Sequence, residues 1–133
     1  MVEDTQIWEK GARDTFAALT KHEAKVRFIR DTPYADYDVP GCLAQAEWDG
    51  HTQCPTLASG VALSPAIYVA EARAMQDSVN VKALDLSDLM CGPDRCYLEV
   101  GVQIIYRGAD HLTAAFSRSL NTVLFQRLSD RKQ

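Results

Sequence analysis

Four cysteines and one histidine are the residues of this sequence best suited to chemistry. The cysteines fall in two close pairs, Cys42 with Cys54 and Cys91 with Cys96. An even number at short spacings suits two local disulfides, which persist in oxidising compartments. Gly92-Pro93-Asp94-Arg95, between the second pair, has turn-forming composition. Zinc is the rival reading, with His51 as a lone extra ligand. Zinc knuckles hold two to four residues between cysteines and close tetrahedrally. Cys91 and Cys96 fit that only at the loose end, and Cys42 and Cys54 do not. Four cysteines allow three connectivities, of which the two local pairs are the simplest.

His111 ends the short run Arg107-Gly108-Ala109-Asp110-His111, which follows a strand-like segment and precedes a helix. In open α/β sheets, sites gather at the carboxyl ends of strands. The plainer reading is a capping or packing histidine. His22, at a helix end, and His51, in a loop, read as solvated. Asp85 and Asp88 read as a strand terminator and a turn cap.

The elements around these residues follow from periodicity. Trp8, Ala12, Phe16 and Leu19 recur at helical spacing and predict a helix from about Thr5 to His22, weakened by Gly11. Lys25 to Arg30 alternates and reads as a strand, stopped at Asp31-Thr32-Pro33. Thr32 to Trp48 reads mostly as loop. Ser64-Pro65 looks like a helix start, with the helix running to about Val79 and Asn80 as its stop. Ile67, Ala70, Ala74 and Met75 would face inward. Val81 to Leu86 is a strand, and Tyr97 to Tyr106 contains one or two more, interrupted at Gly101. A last helix runs from Leu112 or Thr113 to about Leu128 on a Leu120, Val123, Leu124, Leu128 stripe. Strands alternating with helices indicate an α/β layer fold with parallel pairing.

Bulk properties set the outer limits. A chain of 133 residues suits one domain, and 47% hydrophobic residues suffice for a core. A net charge of −4 lacks the basic footprint of a nucleic-acid binder. No apolar run approaches the roughly 20 residues of a membrane helix. Met1 to Lys10 has neither the basic nor the apolar region of a signal peptide. The reading is therefore of a chain that encodes no membrane span and no export signal.

An ordered set of short motifs points further. Asp85-Leu86-Ser87-Asp88-Leu89-Met90-Cys91, then Cys96, then Ile105-Tyr106-Arg107, then Asp110-His111-Leu112-Thr113-Ala114-Ala115-Phe116 resembles the ending of a known domain type. It is the SGNH domain attached to acyltransferase-3-type bacterial membrane proteins. Arg30-Asp31-Thr32-Pro33, Val39-Pro40 and Cys42-Leu43 resemble an earlier stretch of the same family. The likeness covers nearly the whole chain.

The resemblance implies an α/β, partial flavodoxin-like three-layer fold with a mainly parallel sheet and disulfide-containing loops. Residues 1–133 would form a single domain, the C-terminal portion of an SGNH domain. The family's chemistry is O-acyl transfer, here acetyl transfer onto cell-surface polysaccharide. A serine in a Gly-Asp-Ser block attacks the acyl carbonyl, and a histidine accepts its proton. His111 matches that histidine. The family's orienting aspartate lies three residues earlier, where this chain has Gly108. Asp110 reads as a poor substitute, because neighbouring residues usually point apart.

No Gly-Asp-Ser block occurs in the sequence, and Ser59, Ser64, Ser78, Ser87, Ser117, Ser119 and Ser129 lack its setting. The implied partners are a membrane acyltransferase domain, the rest of the SGNH domain and a glycan acceptor, at the periplasmic or extracellular face. No cofactor or metal is implied. Alternatives are a non-catalytic glycan-binding or partner-completing module and a small zinc or redox protein. Tyr34, Tyr37 and Trp48 read as packing anchors, or as walls of a glycan cleft. The expectation is a chain inactive on its own, with His111 at the N-terminal edge of the last helix.

Overall fold

The computed structural model describes residues 2–129. Helix α1 covers Val2–Thr20, and strand β1 follows at Val26–Ile29. Helix α2 is Val39–Asp49, strand β2 Leu57–Ala58, and the short helix α3 Ser59–Ala62. Helix α4 is Pro65–Met75 and strand β3 is Val81–Leu84. A 3₁₀ turn at Ser87–Leu89 leads to β4 at Arg95–Cys96, β5 at Glu99–Val100 and β6 at Gln103–Ile104. Helices α5, Ala114–Ser119, and α6, Asn121–Ser129, complete the order.

β1 and β3 pair in parallel, with Val26 opposite Val81 and Ile29 opposite Leu84. Parallel strands need a long crossover, and here it carries α2, α3 and α4, with α4 leading into β3. α1 packs along α4 on one side of this pair. The seam is apolar: Phe16, Ala74 and Val81 are buried, with Ala12, Val26, Phe28 and Met75 around them. Phe16 meets Phe28 edge-on, ring centres 5.4 Å apart. Of the predicted α1 stripe, Phe16 is buried, whereas Trp8 and Leu19 remain half exposed.

A second, larger core sits under the loops. Val39, Leu57, Met90, Ile105, Tyr106 and Phe116 are all buried in it. Cys42–Cys54 and Cys91–Cys96 are disulfides, with Cα separations of 5.8 and 3.8 Å. No free cysteine remains among the described residues.

Several boundaries differ from the sequence expectation. The stretch read as loop up to Trp48 contains α2. Pro40 lies in its first turn, and Gly50 ends it in the left-handed conformation at φ 65°, its N–H donating to Ala46 O. Val39 is buried and Leu43 packs on the larger core, so the helix has few apolar anchors to betray it. α4 ends at Met75 rather than Val79. The chain turns early so that Asn80 O can accept the Val26 N–H at 2.8 Å and begin the parallel pair.

Strand β3 stops at Leu84 rather than Leu86, because the Asp85 carboxylate accepts the Ser87 N–H at 2.8 Å and starts a turn. The single last helix is two, divided at Leu120. Ser119 Oγ donates to Phe116 O at 2.7 Å there, a local bond that competes with the helix ladder. The parallel sheet is small among the described residues. They give one parallel pair and two antiparallel pairs, β2 with β4 and β5 with β6. β5 and β6 are separated by only Gly101 and Val102, a connection that permits a hairpin and no crossover.

Candidate functional site

The site is built on the loop from Arg107 to Thr113. Its root is Ile105 and Tyr106, both fully buried. The loop closes on itself: Arg107 N–H donates to His111 O at 2.7 Å, and Thr113 N–H to Ile105 O at 2.8 Å. Three carbonyls are held from outside. Ala35 N–H donates to Ala109 O at 2.7 Å, Val39 N–H to Gly108 O at 3.3 Å, and Thr32 Oγ1 to Asp110 O at 2.7 Å. Gly108 has φ 94°, a conformation that disfavours any side chain. Thr113 caps α5, accepting the Phe116 N–H at 3.1 Å and donating to Ile104 O at 2.7 Å. His111 therefore lies two residues before the N-cap of α5, on a loop fixed at both ends.

Asp110 and His111 are not splayed apart. Asp110 Oδ1 lies 2.7 Å from His111 Nδ1. The expectation that neighbours diverge holds for extended strands. Here the pair sits in a bend, so both side chains reach the same side. With a carboxylate at Nδ1, the neutral ring carries its proton there and leaves Nε2 as the base. The pair is open to solvent, with side chains 80% exposed for His111 and 53% for Asp110.

A cavity of about 580 Å³ adjoins the pair. Its lining includes Trp8 of α1, Arg30 and Tyr34 after β1, Tyr68 and Glu71 of α4, and His111. Arg30 joins the carboxyl ends of both parallel strands. Its backbone N–H donates to Leu84 O, and its guanidinium donates to Asp85 Oδ2 and Leu63 O, each at 3.0 Å. The same guanidinium lies 3.9 Å over the Tyr68 ring. Burial pushes the Asp85 carboxyl up, but hydrogen bonds from Ser87 and Arg30 outweigh it and hold it below the usual range. Behind them, Arg127 of α6 donates to both Asp88 carboxylate oxygens, at 2.8 and 2.6 Å, and to Asp85 O.

A family model described as the SGNH domain fused to AT3 domains matches residues 2–126. The chain belongs to that family. No curated protein and no solved structure matches it. In this SGNH domain the residues singled out in the sequence have separate fates. His111 and Tyr34 line the cavity. Tyr37 packs against the larger core and donates its hydroxyl to Pro55 O at 2.7 Å. Trp48 is 89% exposed, and His22 and His51 are exposed. Cys91 and Cys96 lie in the larger core, Cys42 ties α2 to the segment before β2 through Cys54, and none of the four lines the cavity.

Trp8, Arg30, Tyr68 and Glu71 were not anticipated as cavity residues of this SGNH domain. One signal was available for Glu71. It sits between Ala70 and Ala74, on the buried face of α4, where a carboxylate is out of place unless something holds it. Trp8 and Tyr68 gave none, since helix aromatics usually pack in a core. Among the described residues no helix is long and apolar enough to cross a membrane. Nor does any group of three or more His, Cys, Asp or Glu among them suit a metal ion.

Proposed function

We propose that residues 1–133 are the C-terminal, histidine-bearing portion of a flavodoxin-like SGNH domain that takes part in O-acyl transfer onto cell-surface polysaccharide. His111 is the general base and Asp110 its orienting carboxylate, in place of the aspartate that Gly108 replaces. The reading is carried by one observation, the 2.7 Å contact between Asp110 Oδ1 and His111 Nδ1 beside the cavity. The parallel pair with its crossover helix supports the layered fold, and the disulfides support a place outside the cytoplasm.

The serine comes from outside this sequence, on a further part of the SGNH domain. Its Oγ attacks the acyl carbonyl while His111 Nε2 takes the hydroxyl proton. The leaving group departs with that proton, and an acyl-serine remains. A sugar hydroxyl then attacks the acyl-serine, giving its proton to His111, which returns it to the serine. A membrane AT3-type domain is the partner that delivers the acyl group.

The test supplies the purified chain with the serine-bearing part of an SGNH domain from an AT3 fusion and follows release of p-nitrophenol from its acetate ester. Turnover that needs both parts and is lost in His111→Ala supports the reading. Turnover untouched by His111→Ala refutes it. A glycan-binding module without chemistry is the second reading, favoured by the aromatic cavity walls and the exposed histidine.

A further inference from the structure

The cavity holds groups that acyl transfer by His111 does not use. Glu71 is only 4% exposed, yet it lines the cavity. Trp8 Nε1–H donates to its Oε1 at 3.0 Å, bridging α1 and α4. Trp8 itself is 51% exposed and Tyr34 52%, so both present ring surface to solvent at the cavity. The one arginine in the lining is committed. Arg30 spends its charge on Asp85 and stacks on Tyr68. Asp31, Glu71 and Asp110 also line the cavity, and among the described residues its wall holds no fixed positive charge besides Arg30.

We propose that this cavity is a subsite for an uncharged, hydroxyl-rich ring, and that Glu71, held by Trp8, is the residue that selects against acidic rings. The assignment deepens the proposed function, since it takes the His111 side of the domain as the working face. With Trp8 on Oε1, the Glu71 carboxylate has Oε2 left to accept a ring hydroxyl, with the added strength of a charged acceptor. Aromatic faces suit the apolar C–H face of a sugar ring, and a few hundred cubic ångströms is the size of a small-ligand pocket. An acidic ring would set its own carboxylate among three others, and like charges brought together exclude a partner effectively. Burial pushes the Glu71 carboxyl up, the Trp8 hydrogen bond opposes this, and Asp31 adds to it. The nearby Arg30 charge offsets the push from Asp31 in part.

Trp8 reports on the cavity directly. The sequence has two tryptophans, and Trp48→Phe removes the other, which is 89% exposed and outside the cavity lining. The experiment titrates the full chain carrying Trp48→Phe with cellotriose, mannotriose, N-acetylchitotriose and trigalacturonate, reading Trp8 emission. At least one neutral trisaccharide should give a saturable change, with trigalacturonate at least tenfold weaker. Glu71→Gln, which still offers Trp8 an acceptor, should shrink that gap to threefold or less while circular dichroism stays unchanged. Should Glu71→Gln misfold, wild-type selectivity measured at low and high salt carries the test, because charge exclusion must weaken with screening. Three results overturn the proposal: no saturable response to any neutral trisaccharide, trigalacturonate binding as tightly, or a gap that a folded Glu71→Gln (or, where that variant misfolds, salt) leaves unchanged. Emission reads binding alone, so such a failure leaves the role of His111 standing, and the ester assay does the reverse.

Discussion

Asp110 Oδ1 lies 2.7 Å from His111 Nδ1, although the two residues are consecutive in the chain. The contact requires a bent backbone, and the bend is held by Thr32 Oγ1 donating to Asp110 O and the Arg107 N–H donating to His111 O. Removing the carboxylate should therefore change the ring and little else. Asp110→Ala should redistribute the His111 tautomers, seen as ring ¹⁵N shifts at neutral pH. In the serine-completed mixture it should slow turnover by about 10–10²-fold. That is less than the roughly 10⁴-fold effect of impairing the buried aspartate of a serine-protease triad. The difference follows from exposure: at 53% exposed, the Asp110 carboxylate is screened by water.

The isolated chain should show no turnover of an activated acetyl ester above background. No Gly-Asp-Ser block is present to form an acyl-enzyme. The check is an ester assay on the purified chain beside His111→Ala. A rate well above background that disappears in the variant would mean that one of the chain's own serines completes the site.

Restoring the family's aspartate should harm the protein. At φ 94°, Gly108 occupies a conformation in which any side chain is strained. Gly108→Asp should cost about 1–3 kcal/mol of stability. It should not raise the rate of the completed mixture. Chemical denaturation and the ester assay read the two parts, and a faster, equally stable variant would contradict the assignment of Asp110.

Reduction should loosen the larger core more than the parallel pair. The Cys42–Cys54 bridge spans 12 residues and Cys91–Cys96 spans 5. Loop-closure entropy assigns them about 3 and 2 kcal/mol respectively. Thermal melts with and without reductant should show a drop, and thiol titration should find reactive cysteines only after reduction. Hydrogen exchange should rise first around α2 and Met90–Leu98, before Val26–Ile29.

Stability should respond to pH through carboxylates of opposite sign. Hydrogen bonds from Arg127 hold Asp88 below the usual range despite some burial, and those from Ser87 and Arg30 outweigh burial at Asp85. Their contribution is present above the unfolded value of about 3.9 and is lost as pH falls through the lower folded values. Glu71 runs the other way, since burial raises it. Its folded form holds a proton more tightly, so stability declines as pH climbs from about 4.3 through the raised value. Glu71→Gln should melt at or above wild type at pH 7, with the difference shrinking toward pH 4. A wild type that gains stability on acidification below pH 3.5 would contradict the first part.

The sequence by itself determined the family, the two local cysteine pairs and the chief secondary elements. Each is a local property: motifs in fixed order, cysteines a few residues apart, and apolar residues at helical or alternating spacing. It also marked His111, because a strand, a short polar run and a helix start can be read in a line. Only the tertiary structure decided what surrounds that histidine. Trp8, Arg30, Tyr68 and Glu71 come from elements dozens of residues apart and meet because β1 and β3 pair in parallel with α1 packed on α4. The break at Leu120 and the early end of α4 were set by the hydrogen bonds of Ser119 and Asn80 rather than by the apolar stripes. The Asp110–His111 contact was illegible for the same reason. Sequence spacing gives the direction of side chains only in regular elements, and this pair lies in a bend whose shape is imposed by Thr32, Ala35 and Val39 across the loop.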